Sequence, residues 1–242
     1  MTIYPAIDLL DARAVRLRQG DPARVTPFGD DPVAVARGWV DQGAEWLHVV
    51  DLDGALLGAP RHLTLIERIC RSVTVPVQVG GGLRTVADLD AVFHAGAARA
   101  IVGTAALDPE TLPAALARFG ERIAVALDAR DGLVAIRGWQ ETAALAVVEA
   151  AQRLAAAGVA RFIYTNIARD GMLSGPDLGG FASLRAVVGA PVVLSGGIAS
   201  ERDVAAAARS GAEGVVIGRA LYDGRLSLRD AMRAGLGCAN AC

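Results

Sequence analysis

The chain carries one device twice. From Val75 to Leu107 (VPVQVGGGLRTVADLDAVFHAGAARAIVGTAAL) and from Ala190 to Leu221 (APVVLSGGIASERDVAAAARSGAEGVVIGRAL), an apolar run leads into a glycine-rich turn. A segment of helical period follows, then a second apolar run and a Gly-x-Ala step. Pro76, Gly81, Gly82, Gly96 and Gly103 recur 115 positions later as Pro191, Gly196, Gly197, Gly211 and Gly218, and Gly43 recurs as Gly158. Further upstream, Pro5–Asp8 (PAID) matches Val125–Asp128 (VALD) at an offset of 120. Half a sheet of this kind leaves its edges open, whereas two copies close on each other.

The rest of the chain fits that frame. Eight apolar runs of strand length are expected at Ile3–Ile7, Trp46–Val50, Val75–Val79, Ala100–Val102, Ile123–Leu127, Phe162–Tyr164, Pro191–Leu194 and Gly214–Ile217. Their near-continuous apolar character suits parallel strands covered on both faces. Helical segments alternate with them: Pro32–Gln42, His62–Arg71, Val86–Ala95, Pro109–Arg118, Ala143–Ala157, Gly180–Val188, Arg202–Arg209 and Ser227–Arg233. The pattern predicts an α/β fold, a (βα)8 TIM barrel of two repeated half-barrels, ahead of a doubly wound open sheet. Residues 1–242 form a single domain on this reading, with halves at about 1–120 and 121–236 and a tail over 237–242.

Composition excludes several chemistries. All 24 basic residues are arginine, so a Schiff-base lysine, a lysine-bound pyridoxal phosphate and a P-loop lysine are ruled out. A net charge of −2 points to neither nucleic acid nor a membrane surface. No run is long enough to span a membrane, and the N-terminus lacks the basic start of a signal peptide. Cys70, Cys238 and Cys242 have no metal-ligand spacing and fit reduced thiols in a cytoplasmic protein. His48, His62 and His94 fall in no triad or metal template and read as structural. No metal and no cofactor is expected. Nothing in the sequence marks an oligomer interface, and a monomer is compatible with it.

In a barrel of this type the loops after the strands form the active face. The turns Gly80–Arg84 and Ser195–Ser200 follow the third and seventh strands; Val102–Leu107 and Ile217–Leu221 follow the fourth and eighth. Glycine there brings the backbone and its N–H groups close to a ligand, and a helix N-terminus behind the turn favours an anion. Gly81, Gly82, Gly103, Gly196, Gly197 and Gly218 are the expected phosphate-binding backbone. Arg84, Thr104, Ser195 and Arg219 are the expected side-chain donors. Alternatively the glycines only shape tight turns, but four such turns in two pairs favour phosphate. A doubled device implies a small molecule with a phosphate at each end.

Asp8 and Asp128 end the first and fifth strands, which are diametrically opposed among eight, so their carboxylates face each other across the mouth. One can accept a proton while the other donates, although spacing alone does not say which; the alternative is that each caps a strand end or pins a loop. Asp51 ends the second strand, and its 115-offset counterpart is Asn166, beside Thr165. Asp170 precedes a glycine in ARDGML, a common turn pair. Arg16 and Trp139 stand in the first and fifth loops. Trp139, flanked by Gly138 and Gln140, suits stacking on a flat ligand or anchoring its loop.

Taken together, YPAIDLLDARAVRLRQGD, GAEWLHVVDLDGAL, VQVGGGLR, VGTAAL, VALDARDG, RGWQE, ARDGMLSGPDL, LSGGIAS and VIGRALYDG resemble the HisA family. These are the phosphoribosylformimino-aminoimidazole-carboxamide ribotide isomerases of histidine biosynthesis. The resemblance runs in order from about Ile3 to Gly224. It implies an aldose–ketose isomerase that carries out an Amadori rearrangement on a bisphosphorylated aminoaldose without a cofactor. It implies Asp8 as proton acceptor and Asp128 as proton donor, with Thr165 and Asp170 assisting and Arg16 and Trp139 contacting or closing over substrate. The related HisF cyclases usually carry a cysteine where this chain has Ala6 and a lysine in the first loop, and this chain has neither. Arg137 before Gly138-Trp139 is similar to the dual-substrate PriA branch, which also takes phosphoribosyl anthranilate. PAID and GWQE, in place of its usual PAVN and GWET, favour the single-substrate enzyme. A non-catalytic phosphate-binding barrel is the remaining alternative, against which both carboxylates stand.

Overall fold

The structure, a computed structural model, describes residues 1–18 and 21–237, the side chains of 16–28 excepted. Its strands are β1 (Thr2–Leu10), β2 (Arg13–Arg18), β3 (Asp21–Gly29), β4 (Leu47–Asp51), β5 (Val77–Gly80), β6 (Arg99–Val102), β7 (Ile123–Arg130), β8 (Leu133–Ile136), β9 (Glu141–Ala146), β10 (Phe162–Asn166), β11 (Val192–Ser195) and β12 (Gly214–Ile217). Parallel pairing runs β1–β4–β5–β6–β7–β10–β11–β12 and returns to β1, which closes the eight-stranded barrel. The helices wrapping it are α1 (Pro32–Asp41), α2 (Leu52–Leu57), α3 (Leu63–Ser72), α4 (Val86–His94), α5 (Thr111–Phe119), α6 (Val147–Ala156), α7 (Leu178–Arg185), α8 (Glu201–Arg209), α9 (Arg219–Tyr222) and α10 (Leu228–Leu236). Among the described residues no helix is long and apolar enough to cross a membrane.

Strand period two splits the apolar residues into two cores. Ile3, Ile7 and Leu9 of β1 face outward and join Leu47, Val125, Leu127, Phe162 and Phe181 in the larger cluster between barrel and helices. Burying one such Leu, Ile or Phe contributes roughly 1.5–3 kcal/mol. Tyr4 and Ala6 face inward with Ile101, Ile163, Val193 and Val216, a smaller cluster that fills the barrel.

Helix starts repeat as the glycines do. Thr85 and Asp88 form a capping box on α4: the Thr85 side chain accepts from the Asp88 amide at 3.1 Å, and Asp88 accepts from the Thr85 amide at 2.8 Å. Ser200 and Asp203, 115 positions on, cap α8, where Asp203 also accepts from the Ala199 amide at 3.0 Å. These aspartates take N–H groups that were expected to face an anion.

The loops after β1 and β7 differ from expectation. Each folds into an antiparallel extension of its strand, β2–β3 and β8–β9. Asp11 and Ala12 (φ 49° and 59°) and Asp131 and Gly132 (φ 52° and 79°) make the two-residue turns that start them. The helix expected over Ala143–Ala157 starts only at Val147, because residues 141–146 pair with β8. An alanine-rich helix former yields there to a free sheet edge.

Candidate active site

A cavity of about 230 Å³ opens at the C-terminal ends of the barrel strands. Asp8, Asp128, Thr165, Asp170, Gly81, Gly82, Arg84, Gly103, Thr104, Trp139 and Ser195 line it, as do Ala6, His48 and Gly80. The strand ends bring the two carboxylates to it from opposite sides: Asp8 registers with Val50 on β4, and Asp128 with Thr165 on β10. Asp8, Thr165 and Asp170 are buried. The side chain of Arg16 lies outside the described residues.

Asp128 has the most telling environment. The Trp139 indole Nε1–H donates to its Oδ2 at 2.7 Å. Burial pushes its carboxyl above the ordinary range, and the nearby Asp170 charge adds to the rise; hydrogen bonds from Trp139 and Thr165 restrain it. Such an environment favours the protonated form over the charged one.

Trp139 reaches Asp128 because Arg137, Gly138 and Trp139 take successive positive φ values of 53°, 64° and 69°. The turned loop is tied down: the Arg130 guanidinium donates to the Trp139 carbonyl at 2.9 Å, and the Arg137 amide donates to Thr104 Oγ1 at 3.2 Å. The expected stacking-or-anchor residue therefore bonds directly to a proposed catalytic carboxylate.

The two sets of glycine turns have unequal surroundings. Gly81, Gly82, Arg84, Gly103 and Thr104 belong to the main cavity. Gly196, Gly197, Gly218 and Arg219 surround a separate space of about 10 Å³ with Gly171, and Asp170 borders both. That volume holds about one water. Arg219 donates there to the Gly171 carbonyl at 2.8 Å and to Asp223 at 2.9 Å. Gly82 (φ 72°) and Gly197 (φ 83°) are also needed by the fold. A Cβ on either would strike the carbonyl oxygen of the loop behind it, Gly54 or Gly175. Gly103 and Gly218 share a backbone shape, φ/ψ −94°/−116° and −106°/−98°, and a Cβ at 103 would meet open space.

Asp51 is a loop clasp. It is 1% exposed, and its oxygens accept from the backbone amides of Gly54 (2.8 Å), Arg61 (2.6 Å) and His62 (3.0 Å). Asp51, Asp53 and His62 lie close enough to share a cation. The Asp51 oxygens are already taken, however, and His62 Nε2–H donates to Asp53 at 2.5 Å. In the second half Asn166 donates to Asp177 at 2.8 Å, and Tyr164 donates to the same oxygen at 2.7 Å. His62 and Asp177 are 115 apart, so the carboxylate has changed sides of the clasp. His48, expected to be structural, is instead part of the cavity wall.

The family model described as "Histidine biosynthesis protein" matches residues 2–227. A protein of Moorella thermoacetica is 48% identical over 236 residues, covering 96% of this chain and 97% of the relative. One of Roseiflexus castenholzii is 48% identical over 235 residues, covering 97% and 99%. Both are named 1-(5-phosphoribosyl)-5-((5-phosphoribosylamino)methylideneamino) imidazole-4-carboxamide isomerase, as is a Roseiflexus sp. protein 50% identical over 238 residues, covering 97% and 99%.

Proposed function

The chain belongs to the histidine biosynthesis protein family, and from that premise we propose that it is the isomerase of that family, with Asp8 and Asp128 as its base and acid. It is an aldose–ketose isomerase that converts the aminoaldose ProFAR into the aminoketose PRFAR by an Amadori rearrangement. One observation carries the residue assignment: two strand-end carboxylates face one cavity, and the environment of Asp128 favours its protonated form.

Asp128 gives its proton to the ribose ring oxygen. The C1–O bond breaks, and the nitrogen lone pair forms a protonated C=N bond. Asp8 then takes the proton from C2, and that electron pair becomes the C1=C2 bond of an enaminol while the nitrogen returns to neutrality. C1 gains a proton and the C2 hydroxyl loses one, which leaves the ketone. Protons and electrons balance within the substrate and the two acids, so the protonated imine serves as electron sink and the step calls for no cofactor. Thr165, which hydrogen-bonds to Asp128, and Asp170, whose charge acts on it, tune the acid. The paired glycine turns support a ligand with a phosphate at each end, held by Arg84 and Thr104 on one side and by Arg219 with Gly196 and Gly197 on the other. Cytoplasmic location belongs to the same reading, supported by cysteines without metal or disulfide spacing.

Turnover of ProFAR, followed by its absorbance change, tests the proposal, with phosphoribosyl anthranilate as a second arm. The first is consumed and the second is not. Asp8→Asn and Asp128→Asn each lower kcat by about 10²–10⁴ while still binding substrate. Near-normal turnover by either variant sinks the assignment of that residue.

A further inference from the structure

We infer that Arg99 and Gln78 form a buried relay that presents His48 to the cavity as a neutral ring with its proton on Nε2, a positioning device for the isomerisation. The inference rests on the isomerase reading of the site.

Barrel register sets the relay. His48 on β4 pairs with Gln78 on β5, which pairs with Arg99 on β6. All three are buried, at 9%, 0% and 7% exposure. Arg99 Nη1 donates to Gln78 Oε1 at 2.8 Å, and Gln78 Nε2 lies 2.9 Å from His48 Nδ1. A guanidinium only donates, so it must meet the amide oxygen; the amide nitrogen, also only a donor, must then meet a bare Nδ1. The proton of the neutral ring is left on Nε2. Arg99 is fixed at the far end by the Trp46 ring, 4.4 Å from its guanidinium carbon, and by a hydrogen bond with Tyr4.

Packing does not require this trio. The residues 115 positions on are Ile163, Val193 and Gly214, and they occupy the matching registered strands β10, β11 and β12. Ile163 and Val193 are buried there, so the same fold closes with apolar residues. Burying a guanidinium and an amide in one half is an expense that a donor directed at the reacting sugar would justify. His48 lines the cavity that holds Asp8 and Asp128, and a neutral imidazole N–H there donates to a sugar oxygen without competing for the Asp128 proton.

The test is a ¹⁵N spectrum of the imidazole rings combined with steady-state kinetics. With three histidines in the chain, His48→Gln assigns the signal by difference. The wild-type ring shows a bare Nδ1 and a protonated Nε2. Gln78→Glu keeps an acceptor for Arg99 but also accepts from the ring, so Nδ1 gains a proton and kcat falls about 10²-fold with KM near the wild-type value. Arg99→Met frees the amide to turn over, and both tautomers appear. A protonated Nδ1 in the wild-type protein overturns the relay whatever the activity. An inverted ring in Gln78→Glu with wild-type kcat overturns its role in the reaction. Wild-type protein that does not turn over ProFAR overturns the isomerase reading instead, and the ring spectrum still decides the relay.

Discussion

Replacing Asp51 by alanine separates a structural carboxylate from the two that are proposed to react. Asp8, Asp51 and Asp128 all fall at or near the C-terminal ends of barrel strands, and Asp51 spends its oxygens on three backbone amides where Asp128 accepts from the Trp139 indole. The Gly54 amide is buried, and losing its acceptor costs about 1–3 kcal/mol. The Arg61 and His62 bonds are half-buried, and water replaces part of them, for about 0.5–1.5 kcal/mol each. The total comes to about 4 kcal/mol. For a chain of 242 residues that lowers Tm by roughly 8–16 °C. The same loop backs the first glycine turn, since the Gly54 carbonyl lies where a Gly82 side chain would stand. KM therefore rises as the cradle loosens, while kcat at saturation stays near the wild-type value. Calorimetry and a full substrate titration read both effects. An unchanged Tm, or a collapse of kcat at unchanged KM, refutes the clasp and makes Asp51 a third reacting carboxylate.

Four further outcomes follow from the site. Asp128→Asn lowers kcat as above yet raises Tm at neutral pH. Burial raises the native pKa above that of an ordinary carboxylate, so the stability that this carboxyl contributes is complete below the ordinary value of about 3.9 and is lost as pH rises through the native one. The gain measured by thermal scans accordingly shrinks as pH falls toward 4, and a gain that grows on acidification contradicts it. Trp139→Phe removes the indole donor from the Asp128 carboxylate, so the alkaline limb of the kcat profile, where the acid loses its proton, moves to higher pH; a shift to lower pH would be inconsistent. Arg84→Met raises KM about tenfold or more with little change in Tm, because the exposed Arg84 guanidinium has no hydrogen bond or ion pair among the described residues. Arg219→Met raises KM and also lowers Tm, since Arg219 ties Gly171 to Asp223. Equal Tm values for the two variants would show that the second cradle is not held closed by Arg219.

The barrel, the doubled glycine turns and the pair Asp8 and Asp128 could be read from the chain itself, because each is a local pattern that survives in one dimension. Strands covered on both faces must be continuously apolar, and duplication keeps its spacing. The same continuity hides direction: in Leu47-His48-Val49-Val50 neither face alternates to solvent, so only closure of the barrel decides that His48 turns inward to Gln78. Strand-end position could not distinguish Asp51 from Asp128, since what differs is the partner each carboxylate meets across a loop. The Asp131-Gly132 turn was a legible hairpin signal, but the strand Glu141–Ala146 exists only because β8 offers it an edge. Trp139 reaches Asp128 through three successive left-handed residues, a path that no propensity encodes and that loop contacts impose. What the sequence alone determined, then, was periodicity and repetition; which side chains touch depended on closing the chain into a barrel, where residues distant in sequence meet and compete for the same few donors.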